Sequence, residues 1–143
     1  MTGEVTITLE DPENASSRFS SFAYSHDGSK LVAASTNKTM LVWSMTTFTV
    51  ICTPLIGHSD TINSVNWSSD DTKFVSCSND YTIRIWDATS PNFSLLNTLQ
   101  GHFRGVLSVA FSQSGFKMVS GGHDNTARSG MLLSCTAHFI YNS

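Results

Sequence analysis

GHSDTINSVNWSSDDTKFVSCSNDYTIRIWD, Gly57 to Asp87, opens on Gly-His and closes on Trp-Asp. The same pattern returns 44 residues later as GHFRGVLSVAFSQSGFKMVSGGHDNTAR, Gly101 to Arg128, and stops before a Trp-Asp of its own. A weaker copy, FSSFAYSHDGSKLVAASTNKTMLVWS, runs from Phe19 to Ser44, and its Trp43 lies 43 residues before Trp86. Self-similarity at roughly 40 to 45 residues marks a repeat architecture rather than one continuous core.

Within the second copy the apolar residues alternate in short runs: Ile62 and Val65 to Trp67, then Phe74, Val75 and Cys77, then Ile83 to Ile85. Period-two runs separated by Ser, Asp and Asn clusters predict strands joined by tight turns. Trp67 to Lys73 and Ser78 to Tyr81 are rich in residues that bond their own backbone, and His26-Asp27-Gly28 is a hairpin signal. A fourth strand is expected from Phe93 to Leu99. Each copy therefore reads as a four-stranded antiparallel meander, apolar on both faces, that must stack on its neighbours to be stable.

The bulk properties limit the function classes. The chain has 143 residues, 40% hydrophobic and 13% charged, with net charge −3 and its eight Lys and Arg scattered singly. No basic stripe exists to hold a phosphate backbone, so nucleic acid is not an expected partner. No run of 18 apolar residues and no signal-peptide core appears, so no membrane partner and an intracellular address, cytoplasmic or nuclear, are expected. The four sequons, at Asn14, Asn37, Asn66 and Asn92, are then expected to stay unmodified. Cys52, Cys77 and Cys135 are odd in number and far apart, which predicts small buried hydrophobes rather than a zinc site.

Gly57-His58, Asn79-Asp80 and Trp86-Asp87, with Gly101-His102 and His123-Asp124 in the next copy, make the chain resemble the WD-repeat (WD40) β-propeller family over about Phe19 to Arg128. The resemblance implies an all-β fold of stacked four-stranded antiparallel blades, here an incomplete, open propeller of about three. It divides the chain into an opening strand 5–9, a repeat 19–52, a repeat 57–99, an incomplete repeat 101–128 and a divergent tail 129–143, expected to be disordered. In a full-length relative the opening strand, Val5 to Leu9, would complete the last blade. The family also implies a buried hydrogen-bond network, mapped here to His58, Ser76, Asp80 and Trp86. The third copy supplies His102, Ser120 and Asp124, with Gly130 at the Trp position. The first copy keeps only Trp43, with Ala15, Ala33 and Asn37 at the other places, so its blade is expected to rest on packing alone.

A Ser, a His and an Asp in one network resemble a nucleophile, base and orienter. The indole closing the set, and the absence of a G-x-S-x-G elbow, favour a structural network, so no catalytic residue is assigned. No phosphate-binding loop occurs, His123-Asp124 are adjacent and point to opposite faces of a strand, and neither a cofactor nor a metal is expected. Phe22, Trp43, Trp67, Trp86 and Phe111 recur at equivalent places and are expected to pack between blades rather than stack bases.

Function is then expected on the blade loops. The family implies contacts to other proteins from Arg18, Ser20 and Thr36 in the first copy, Thr61, Asn63 and Asn79 in the second, and Gly105, Leu107 and His123 in the third. The expected function is a non-catalytic protein-interaction scaffold, with self-association through open blade edges. The alternative is a truncated isoform or gene fragment with no independent activity, suggested by the abrupt change after Arg128.

Overall fold

The computed structural model describes residue 3, residues 7–133 and residues 136–138. Among them no helix forms, and so none is long and apolar enough to cross a membrane. The described residues form thirteen strands in three antiparallel sheets. The first blade comprises β1 (Phe19–Tyr24), β2 (Lys30–Ser35), β3 (Thr39–Ser44), β4 (Thr49–Val50) and β5 (Leu55–Ile56). The second comprises β6 (Ile62–Trp67), β7 (Lys73–Ser78), β8 (Ile83–Asp87) and β9 (Leu95–Leu99). The third comprises β10 (Val106–Phe111), β11 (Lys117–Gly122), β12 (Ala127–Leu133) and β13 (Thr136–His138).

The three blades share one register. Their inner hairpins pair Phe19 with Ser35, Ile62 with Ser78 and Val106 with Gly122, each followed by a bulge. The bulge turns the strand so that later residues alternate between the face toward the preceding blade and the face toward the following one. In the first blade the outer strand is broken: β4 pairs with Trp43 and Ser44, and β5 with Thr39 and Met40. Pro54, which has no N–H to donate, lies in the gap.

Stacking builds the core. Val32, Ala34, Met40 and Val42 of the first blade meet Val65, Trp67, Phe74 and Trp86 of the second. Val75, Cys77, Ile83 and Ile85 of the second meet Val109, Phe111 and Met118 of the third. Burial removes Cys77 from water and pushes its thiol up to about 12, so it stays a thiol and acts as a small apolar filler. Cys52 is half-buried, and Cys135 lies outside the described residues.

Three expectations change. The tail 129–143 was expected to be disordered, but Ser129 to Leu133 continue β12, and β13 pairs back on it through Met131–His138 and Leu133–Thr136, while residues 134, 135 and 139–143 lie outside the described residues. The backbone of β11 offers a free ladder edge, and pairing there needs no Trp-Asp. The opening strand 5–9 lies partly outside the described residues, and Ile7 to Leu9 form no strand. Leu9 instead packs on Leu31, Ala33, Leu41 and Trp43, covering the outer part of the first blade's end face. Phe22, expected in a joint between blades, is 56% exposed because among the described residues no blade lies on its side of the first.

One clamp ties the first two blades together at their turns. The Asp71 carboxylate accepts the backbone N–H of His26 at 2.6 Å and of Asp27 at 2.9 Å. Asp71 sits at φ 56°, a left-handed position that Gly28 and Gly115 occupy in the other two blades. Aspartate tolerates that conformation poorly compared with glycine, and the cross-blade bonds offset the cost. Asp71→Ala, which keeps the strain and loses both acceptors, should therefore lower the unfolding free energy by about 1 to 3 kcal/mol. Asp71→Gly should recover part of it, as read from urea midpoints.

Candidate functional site

The structure brings His58, Ser76, Asp80 and Trp86 together inside the second blade. His58 Nδ1 lies 2.8 Å from Asp80 Oδ2, and its Nε2 lies 2.8 Å from Ser76 Oγ. The Trp86 indole N–H donates to Ser76 Oγ at 2.9 Å. The carboxylate can only accept, so Nδ1 carries the imidazole proton, Nε2 accepts from the Ser76 hydroxyl, and the hydroxyl oxygen accepts from the indole. Every member is satisfied, which is what a buried polar group requires. Close packing explains the glycine of Gly-His: a Cβ on Gly57 would lie 2.6 Å from the Arg84 guanidinium and 3.3 Å from the Trp86 ring.

Sequence reasoning missed Thr82, which donates its hydroxyl to Asp80 Oδ1 at 2.6 Å and its backbone N–H at 2.9 Å. The signal was available, because Asp80-x-Thr82 recurs as Asp124-x-Thr126. Burial alone would raise the Asp80 carboxyl, but hydrogen bonds from His58 and Thr82 outweigh it and hold the group well below its ordinary range.

In the third blade His102 repeats the geometry, 2.9 Å from Asp124 Oδ2 and 2.9 Å from Ser120 Oγ. Gly130 is buried opposite Met118 and offers no indole. Burial opposes ionisation of Asp124 as well, yet Thr126, the Phe103 N–H and His102 keep it depressed.

The first blade does not rest on packing alone. Asn37 Oδ1 accepts from the Thr39 hydroxyl at 2.6 Å and from its N–H at 3.1 Å, as Asp80 does with Thr82. Asn37 Nδ2 donates to Ser17 Oγ at 2.9 Å, and Ser17 donates to Asp11 Oδ2 at 2.7 Å. A neutral amide can make these bonds without the buried His that Ala15 does not provide.

Ser76 does not meet the demands of a nucleophile. It is fully buried, and its oxygen is already engaged by Trp86 and His58. Among the described residues no group of three or more His, Cys, Asp or Glu is placed to hold a metal ion.

The loop candidates divide into two sets. Arg18, Thr61 and Gly105 accept, through their carbonyls, the N–H of Thr36, Asn79 and His123, so each pair sits together at one end of its blade. Ser20 and Asn63 are committed within the stack. Ser20 Oγ donates to the Ile62 carbonyl, and Asn63 Nδ2 donates to the Val106 carbonyl at 2.8 Å and to Asn79 Oδ1 at 2.7 Å. Leu107 is the third of this series and lies exposed, with no blade beyond it. Between the second and third blades Asn79, Tyr81, Arg104, Gly105 and His123 line an open cavity of about 450 Å³. Gly105 lets the two turns approach closely at the edge of this cavity: a Cβ there would lie 2.7 Å from Asn79 Oδ1 and 3.2 Å from its Cα.

The sequence model described as WD domain, G-beta repeat matches residues 3–44, 48–87 and 93–129. Each of the last two matches starts near the outer strand of one blade and ends at the third strand of the next, so the sequence unit and the folded unit are offset by one strand. Among curated proteins none matches the chain.

Proposed function

Because the chain belongs to the WD40 family, we propose that it is a non-catalytic protein-interaction module that holds a peptide of a partner protein against the loops where its second and third blades meet. The carrying observation is the cavity of about 450 Å³ where Asn79, Tyr81, Arg104, Gly105 and His123 converge. It combines amide and guanidinium donors with an exposed ring, the mixture found at protein interfaces. Tyr81 adds a second support. It stands at φ 72° and is 52% exposed, whereas the third blade uses Asn125 at φ 62° in the same turn. The first blade holds Lys38 at φ 76° in the equivalent turn, so the conformation belongs to the repeat, and the second blade alone puts an exposed aromatic side chain on it.

Two exposed changes test the reading. Tyr81→Asn and Arg104→Glu should leave far-UV circular dichroism unchanged, and Tyr81→Asn should hold or raise the melting temperature. Both should remove the proteins that the wild-type chain retains in affinity purification, compared by quantitative mass spectrometry. If the retained set is unchanged in both variants, the cavity is not the binding face.

A further inference from the structure

We propose that a second copy of this chain docks on the two open ends of the stack, so that two chains close one six-bladed ring. The surfaces concerned are blade faces, not the loops, so this proposal and the loop-face reading stand or fall separately.

The joint between blades is the template. β6 packs on β1 and β2, and β10 packs on β6 and β7, so each joint lays the inner strand of one blade across the two inner strands of its predecessor. The shared register makes Phe22 and Tyr24 the counterparts of Val65 and Trp67. Val65 and Trp67 are 4% and 2% exposed against the first blade, while Phe22 and Tyr24 are 56% and 60% exposed. The first blade thus presents two large aromatic residues where a joint belongs. The segment carrying Leu9 lies over β2 and β3, leaving this inner part of the face free.

The other end is shaped to receive them. The face of the third blade directed away from the second carries Val119, Gly121, Ala127 and Ser129, at the places of Val75, Cys77, Ile83 and Ile85 in the second blade. Three of the four have lost bulk, and Val119, Ala127 and Ser129 are exposed. Bulk gained on one end matches bulk lost on the other. Polar positions agree too: Ser21 accepts the Val65 N–H and the Ala23 carbonyl accepts the Trp67 indole in the first joint, and the third blade repeats this pair as Ser108 and Ala110. At the loop end Ser20 and Asn63 donate to the first residue of the next inner strand, Ile62 and Val106. Leu107 follows them in the series, and the first residue of β1 is Phe19. An apolar pair there replaces the hydrogen bond.

Closure selects the number. Propellers close with about four to eight blades. The described residues of one copy supply three blades and those of three copies nine, so two copies of this stack are the small assembly inside that range. Such a ring makes two identical joints, each joining unlike faces.

Sedimentation velocity tests this directly. The wild-type chain is expected to run as a dimer. Phe22→Asp and Val119→Lys, both exposed in the single chain, should each give a monomer with unchanged circular dichroism, and Tyr24→Ser should weaken the dimer as a milder check on folding. An equimolar mixture of Phe22→Asp and Val119→Lys should regain the dimer, because one joint is then wild type and the other sets aspartate against lysine. A monomeric wild type, assemblies that grow beyond the dimer with concentration, or a dimer that survives both charged variants overturns the proposal.

Discussion

Trp86→Ala is expected to lower the unfolding free energy by about 3 to 5 kcal/mol, the largest single-residue effect in the chain. The indole is 3% exposed, stacks on Phe74 at 6.1 Å between ring centroids with planes 11° apart, and faces the first blade through the cluster that includes Met40 and Val42. Truncation opens a void at the joint that the rigid strands on either side cannot fill. It also strips the donor from Ser76 Oγ. Trp86→Phe separates the two contributions, since most of the ring volume survives and only the N–H is lost, at about 1 kcal/mol. Equilibrium denaturation followed by circular dichroism reads both. A cost below about 1 kcal/mol for the alanine variant would mean that the joint is not anchored there.

Asp80→Ala is expected to cost about 3 kcal/mol, because four donors lose their acceptor at once: His58 Nδ1, the Ser59 N–H, and both the N–H and hydroxyl of Thr82. The same carboxylate makes stability depend on pH. Its acidity is increased in the folded state, and an unfolded aspartate titrates near pH 3.9. The stabilisation is therefore complete above about pH 4 and is lost as pH falls from there toward the lower folded value. Asp124 acts in the same sense. Asp27 is held at about 2 by hydrogen bonds from Ser25 and Ser29, and Asp70, which slight burial would raise, is brought to about 2 by Ser68 and Thr72. A denaturation series from pH 6 to pH 2 should show a steep acid limb in the wild type, a shallower one in Asp80→Ala and a residual slope in Asp80→Ala/Asp124→Ala. An unchanged slope in the double variant would place the acid sensitivity elsewhere.

Most of the second blade is legible in its residues. Alternation fixes the strands, Ser and Asp clusters fix the turns, and Gly57-His58 with Trp86-Asp87 fixes the limits. The fourth strand was placed to within two residues, Leu95 rather than Phe93, because Phe93 at φ 48° is a buried turn residue that apolar character alone cannot distinguish from a strand residue. The role of Thr82 was legible only by comparing copies, since the residue lies in the turn before β8 and is marked by nothing but the recurrence of Asp80-x-Thr82 as Asp124-x-Thr126. Ser20 and Asn63 were read as surface residues, and no local pattern reveals that the carbonyls they bond belong to the following blade.

The sequence by itself determined the repeat, the period and the antiparallel order within the second blade, because these depend on alternation and spacing over at most about forty residues, while the His58 and His102 networks were legible only through the resemblance to the WD-repeat family. Only the tertiary structure decided which face of each strand meets which neighbour. It places Leu9 over the first blade, carries β12 and β13 on to complete the third, commits Asn63 to the next blade and leaves Phe22 and Tyr24 in the open. The physical reason is that a strand buries the same alternating side chains whichever partner covers them, so the pattern marks a face as apolar without naming its cover.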